Sequence, residues 1–349
     1  MAEPEIQISR RGASGHILLD RPAALNAITL TMVRAIAHAL DAWEHDDAVR
    51  CIVVEAAGER AFSAGGDIRH LYEQGRAGDH AGQLAFWREE YLLNCRIRDY
   101  PKPYVALIDG IVMGGGAGVS LHGSHRIAGD RMTFAMPEVG IGFFPDIGAT
   151  YFLPRLPDAT GTYLALTGAR IKTGDAVALG LADAYVPSGK IKALATALAE
   201  SGDVEGVLAK FRETAPAGPL AQHGDVVGRC FAAPTMMEIL ERLDADGSDF
   251  AQAAAKAIRE KSPTSLGIAL RQMQLGKDLD MVDAMRTEFR IVSRVCRGAD
   301  FLEGVRATII DKDMSPRWRP AEIEAVTEAD IDAYFAPLGK DELMPARPA

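Results

Sequence analysis

The chain reads as an α/β layer protein that continues into a helical second half. Three features lead there. Short β-branched segments alternate with a helix-period segment in the first half. Helical periodicity takes over beyond Thr160. Hydrophobic residues make up 48% and charged residues 25% of the 349 residues, the proportions of a globular protein with a substantial core.

Taken in order, "HILLD" (His16–Asp20) and "VRCIVVEAA" (Val49–Ala57) are strand signals, short and β-branched. Between them Leu30, Val33, Ile36, Ala37, Leu40 and Trp43 recur at helical spacing, so that segment is an amphipathic helix. "PYVALIDG" is a strand that ends in a turn, and "IVMGGGAGVSLHG" carries glycines ahead of a short helix. "HRIAG" and "MTFAMPE" are again strand-like. Such alternation argues for an α/β layer structure. Beyond Thr160, "TGTYLALTG", "DAVALGLA", "KIKALATALAE", "TMMEILERL", "DFAQAAAKAIREK", "TSLGIALRQM", "MVDAMRTEFRIVSRVC" and "AEIEAVTEADIDAYF" read as helices. The Pro-, Gly- and Ala-rich stretch between Asp203 and Gly224 is the expected linker. No internal repeat of solenoid length is present.

The net charge is −10 with no Lys or Arg run. Nucleic-acid binding is therefore not expected on electrostatic grounds. Cys51, Cys95, Cys230 and Cys296 are scattered with no CxxC pair, which argues for reduced thiols and against a disulfide frame or zinc site. No apolar run approaches the length of a membrane span, and "MAEPEIQISRRGASG" carries no secretory signal. The expectation is a cytoplasmic protein with no membrane partner.

The generic nucleotide motifs fail. "GGGAGV" misses the last glycine of GxGxxG, and no GxxxxGK[ST] occurs. "GVSLHG" misses a nucleophile elbow, because His122 takes the place of its second glycine. His122 and His125 lack further ligands at readable spacing, so no metal is expected and both read as core or solvated histidines. Two glycine loops remain, "FSAGGDI" (Phe62–Ile68) and "MGGGAG" (Met113–Gly118). They could be tight turns or close packing points. They could also each offer one backbone N–H to a single oxyanion.

The segment "FAMPEVGIGFFPDIGATYFLPRL" (Phe134–Leu156) is apolar and glycine-rich, yet it carries Glu138 and Asp146. An unpaired buried carboxylate is costly, so each needs a partner, a shifted pKa or a chemical task. For Asp146 the structural alternative is a turn cap before "IGATYFL".

"FSAGGDIR", "KPYVALIDGIVMGGGAGVSLHG", the Phe134–Leu156 segment and "YLALTGARIK" resemble the crotonase, or enoyl-CoA hydratase/isomerase, superfamily. Within it they resemble the 3-hydroxyisobutyryl-CoA hydrolases, and the similarity continues through "REEY", "EFRIVSR" and "DFLEGVRATIIDKDMSPRWRP". The resemblance implies a crotonase-like spiral of ββα units over residues 1–203, followed by a helical C-terminal region over 204–349. It implies an acyl-CoA thioester substrate whose carbonyl oxygen meets the N–H groups of Gly66 and Gly115. Hydratases of the family carry two glutamates, one at the position of Gly118 and one matching Glu138. This chain keeps only the second, and gains an acid at Asp146 where hydratases usually have glycine. That pattern implies a hydrolase of 3-hydroxyisobutyryl-CoA in valine breakdown, with Glu138 as nucleophile or general base. Asp146 and Glu90 then contact substrate. Arg69, which follows the first glycine loop, is a candidate phosphate contact, with a solvated helix residue as the alternative. No cofactor beyond the CoA of the substrate is implied, and trimers or hexamers are common in the superfamily. The alternatives are hydration or isomerisation of an enoyl-CoA and, in a different class, a non-catalytic acyl-CoA-binding protein on the same scaffold.

Overall fold

The computed structural model describes residues 4–345; the first three residues of the N-terminal stretch considered above lie outside it. Ten strands occur among the described residues: β1 (Ile6–Arg11), β2 (Ser14–Leu19), β3 (Cys51–Ala56), β4 (Ala61–Ser63), β5 (Tyr104–Ile108), β6 (Ile111–Met113), β7 (His125–Ala128), β8 (Thr133–Ala135), β9 (Ile171–Lys172) and β10 (Ala184–Tyr185). They form two sheets, ordered β1-β2-β3-β5-β7-β10 and β4-β6-β8-β9. β3, β5 and β7 enter the large sheet, and the strand after each, β4, β6 and β8, enters the small one. Each turn of the chain thus lays one strand in each layer, which is a spiral.

Pairing is parallel throughout the large sheet except for the β1–β2 hairpin. Interior parallel strands are covered on both faces and therefore read as unbroken apolar runs. In β3, Ile52 and Val54 join the main core while Cys51 and Val53 face a second one. That second core is closed by Leu194, Leu198, Val204, Val207 and Leu208 from the helices Ser188–Ser201 and Val204–Phe211. The main core runs from Ile17 to Leu343, so both halves of the chain contribute to it.

The helix Leu30–Glu44 starts at Thr29, whose side chain accepts the Met32 N–H. It buries Met32, Val33, Ile36, Ala39, Leu40 and Trp43, one stripe at helical spacing. The expected linker is partly a helix: Asp203 caps Val204–Phe211 by accepting the Gly206 N–H. The expected helix at Ala321–Phe335 is split, because Thr327 and Asp330 form a capping box that starts a new helix at Glu328. Two further helices, Ile68–Arg76 and His80–Arg98, lie between β4 and β5. The second buries Gln83, Glu90 and Asn94 beside Phe86, Trp87 and Tyr91. Polar residues at core positions blur its apolar stripe.

Candidate active site

The two glycine loops meet at the ends of the small sheet. β4 leads into Ala64–Gly66, and β6 leads through Gly114 into a four-residue helix, Gly115–Gly118. A side chain at Gly115 would place its Cβ 3.2 Å from the Gly66 nitrogen and 2.4 Å from Glu90 Oε1. Only glycine allows this approach. Gly66 pairs with Ile28 in a parallel bridge made by Ile28 N to Gly65 O and Asp67 N to Ile28 O. In that geometry the Gly66 N–H points away from its bridge partner. The Gly115 N–H is the first of its helix and has no intrahelical acceptor. Two backbone donors thus face the same space.

That space is a cavity of about 450 Å³. Gly66, Gly115, Glu90, Glu138 and Asp146 all line it. Its apolar wall includes Phe86, Trp87 and Phe143, with Trp87 stacked on Phe143 at a centroid distance of 5.5 Å. The second half of the chain closes it with Lys261, Thr308, Ile309 and Met314.

Three carboxyl groups share this cavity, and all are buried. Glu138 Oε2 and Glu90 Oε1 have no hydrogen-bond partner. A Cβ at Gly114 would stand 3.2 Å from Glu138 Oε1, so this carboxyl lies against the glycine loop. Burial, and then the Asp146 charge, hold Glu138 well above the usual carboxylate range. Glu90 is pushed up in the same way by burial, Asp146 and Glu288. Asp146 is raised by burial to about 7, against the hydrogen bond from Tyr91. Burial acts on all three groups, and the Asp146 charge adds to it at Glu90 and Glu138.

Asp146 is the first residue of a tight turn. Ala149 N donates to Asp146 O at 3.0 Å, and both central residues have positive φ, Ile147 at 55° and Gly148 at 88°. This is a type I′ turn, and a β-branched residue at its first central position is an outlier. Neighbouring groups hold it. Glu288 Oε2 accepts from Gly148 N at 2.7 Å and Oε1 from Thr150 N at 2.9 Å. Gln272 Nε2 donates to Pro145 O at 2.9 Å. His122 Nε2 lies 2.6 Å from Ile147 O. Burial lowers the His122 pKa to about 4, so the ring is neutral and Nε2–H is the donor. The other histidine of the pair considered above, His125, meets Glu205 at 3.0 Å.

Gly118 lies on the other side of this turn. A Cβ there would come within 3.2 Å of Ile147 Cβ and 2.9 Å of Asn94 Nδ2. A side chain at Gly118 would require Ile147 and the end of Asn94 to shift. Arg69 is exposed and donates to Ile309 O at 3.1 Å. It ties a helix end down and is not among the cavity-lining residues. The cationic side chains that line the cavity are Arg170 and Lys261.

Sequence reading missed Tyr91 and Glu288. Tyr91 adjoins Glu90 in "REEY". Glu288 sits four residues from Ala284 and Val292, both buried on the helix Met281–Val295. An acid on an apolar helical stripe was the signal that would have marked it.

The enoyl-CoA hydratase/isomerase family model matches residues 14–335. The 3-hydroxyisobutyryl-CoA hydrolase of Rattus norvegicus, described as mitochondrial, is 45% identical, covering 97% of this chain and 90% of its own length. Its Homo sapiens counterpart is 43% identical over 98% of this chain and 91% of its own. Among solved structures, an enoyl-CoA hydratase from Rhodobacter sphaeroides 2.4.1 superposes with a TM-score of 0.93 at 44% identity, over 98% of this chain and all of that one. A carnitinyl-CoA dehydratase from Mycobacterium thermoresistibile gives 0.94 at 41% identity, over 98% and 99%.

Proposed function

The chain belongs to the enoyl-CoA hydratase/isomerase family, and from that premise we propose that it hydrolyses 3-hydroxyisobutyryl-CoA to 3-hydroxyisobutyrate and CoA, a step of valine breakdown. The observation that carries this choice is the closed space at Gly118 beside the open, acid-lined cavity at Glu138 and Asp146. Hydration by two glutamates across the substrate β-carbon needs a carboxylate at that closed position. Thioester cleavage needs an oxyanion site, one group that attacks or activates water, and a proton for the thiolate.

In this reading the thioester carbonyl oxygen lies between the N–H groups of Gly66 and Gly115. The oxygen gains negative charge as the carbonyl is attacked, and fixed donors there stabilise the transition state by ~3–4 kcal/mol each. Glu138 attacks the carbonyl carbon, or takes a proton from the water that does. The C–S bond then breaks, and the CoA sulfur receives a proton. Asp146, raised to about 7, is suited to hold that proton near neutrality. Glu90 orients the acyl end through its free oxygen. If Glu138 attacks, the resulting anhydride is opened by water. Single turnover in heavy-oxygen water tests the choice: label in Glu138 means an anhydride opened at the Glu138 carbonyl, whereas label in the product alone is expected from activated water and equally from an anhydride opened at the acyl carbonyl.

Lys261 and Arg170 are the cations that serve the anionic CoA moiety. Lys261→Ala raises KM for the thioester, and Arg69→Ala leaves it unchanged. No cofactor beyond the substrate's CoA enters the chemistry. None of the helices among the described residues is long and apolar enough to cross a membrane. The four free cysteines suit a reducing compartment; we read it as cytoplasmic, although the relatives above are mitochondrial. A trimer or hexamer rests on the family resemblance, and a solution mass of 37.4 kDa would remove it.

The two solved neighbours, a dehydratase and a hydratase by name, favour hydration as the second reading. One paired assay decides. Thiol release from 3-hydroxyisobutyryl-CoA, abolished by Glu138→Gln in a folded variant, supports hydrolysis. Loss of crotonyl-CoA absorbance without thiol release overturns it.

A further inference from the structure

Glu288 stands outside the cavity, yet it is fully buried and spends both carboxylate oxygens on the backbone of the Asp146 turn. We propose that Glu288 is a positioning residue: by holding the Gly148 and Thr150 N–H groups it keeps Ile147 in a left-handed conformation and so aims Asp146 at the substrate. This rests on the hydrolase reading above.

Left-handed backbone is strained at a non-glycine residue, and Ile is among the residues least suited to it. Such a conformation persists only where its surroundings over-determine it. With Ile147 relaxed to negative φ, the backbone either side of it would rotate, and Asp146 would leave its place beside Tyr91 and Glu138. The Ile147 side chain is fully buried against Gly118 and the carbonyl is held by His122. The two N–H groups that follow in the turn and the next helix are both held by Glu288. Each Glu288 oxygen accepts one backbone N–H, whereas an amide turns a competing NH2 toward one of those donors. Glutamine therefore preserves the shape and breaks half of the grip. The tether comes from the helix Met281–Val295, in the second half of the chain, to a turn in the first.

The experiment is a kinetic cycle on the full chain with 3-hydroxyisobutyryl-CoA. Glu288→Gln is expected to lower kcat about 10- to 100-fold, the scale of a catalytic group displaced by about 1 Å. KM should stay within about twofold, because Glu288 does not line the cavity. Two backgrounds distinguish positioning from general destabilisation. With Asp146→Asn already present, Glu288→Gln should cost little more, since both act through one side chain. With Ile147→Gly, which adopts positive φ without strain, the Glu288→Gln penalty in kcat should shrink. A penalty of equal size in all three backgrounds overturns the proposal, as does full activity of Glu288→Gln alone. Should Glu288→Gln not fold by itself, the Ile147→Gly pair decides: a folded double variant with the kcat of Ile147→Gly supports the proposal, and one that has lost that kcat refutes it. Absence of thiol release from the unmodified protein would instead refute the hydrolase reading.

Discussion

The Tyr91 hydroxyl donates to Asp146 Oδ2 at 2.8 Å, between two side chains that are each buried. One carboxyl oxygen of Asp146 is thereby committed to the protein, which fixes the direction of the other. The bond also lowers the Asp146 pKa against the larger effect of burial. Removing it with Tyr91→Phe should move the Asp146 limb of the pH–rate profile to higher pH. A hydrogen bond of ~1 kcal/mol corresponds to somewhat under one pH unit. A limb that moves to lower pH would contradict the arrangement.

Gly115→Ala tests the oxyanion site by filling it. The added methyl would meet Glu90 Oε1 at 2.4 Å and approach the Gly66 nitrogen to 3.2 Å. The expected loss in kcat is ~10²–10³-fold, comparable to deletion of one oxyanion donor. Circular dichroism should stay native. Wild-type turnover in this variant would mean that the thioester oxygen sits elsewhere.

Stability should fall as pH rises through the neutral range. Asp146 goes from its ordinary 3.8 to about 7, and Glu288 from 4.5 to about 8. Between the two values of each group the unfolded chain has released its proton and the folded protein has not. The unfolded state then binds fewer protons, so the slope of unfolding free energy with pH is negative. The contribution is whole below about pH 4 and is lost progressively up to about pH 7–8. Urea midpoints for wild type and Asp146→Asn check it: the wild-type curve should drop more steeply between pH 5 and pH 8. Parallel curves would refute the raised pKa.

Gly118→Glu asks whether the hydratase arrangement can be restored by one residue. A side chain there collides with Ile147 and Asn94. Overpacking a filled core typically costs ~1–3 kcal/mol. The variant should lose thermal stability and gain no crotonyl-CoA hydration. A stable variant that hydrates crotonyl-CoA would show that the site is a hydratase short of one acid.

Much of this was legible in the sequence, for physical reasons that differ by residue. The strands β2, β3 and β5 announced themselves because two-sided burial makes unbroken apolar runs. Gly66 and Gly115 stood out because close backbone approach excludes side chains. Glu138 and Asp146 stood out because charge in an apolar segment demands a reason. The helix His80–Arg98 was obscured because Glu90 and Asn94 occupy core positions that periodicity expects to be apolar. Glu288 was hidden because its partners are main-chain N–H groups well over a hundred residues away. The direction of the Arg69 side chain was not legible, because position next to a loop says nothing of which way a long side chain turns. In the fold it turns toward Ile309.

The cavity draws its walls from residues as distant in sequence as Ala64 and Met314. A ribosome adds about 5–20 residues per second. More than ten seconds therefore separate the emergence of the first glycine loop from that of the last wall residue. Until then the cavity lacks the wall that Lys261, Thr308, Ile309 and Met314 supply. Catalytic competence is the last property this protein acquires, and it arrives only when the tail of the chain has left the exit tunnel and docked.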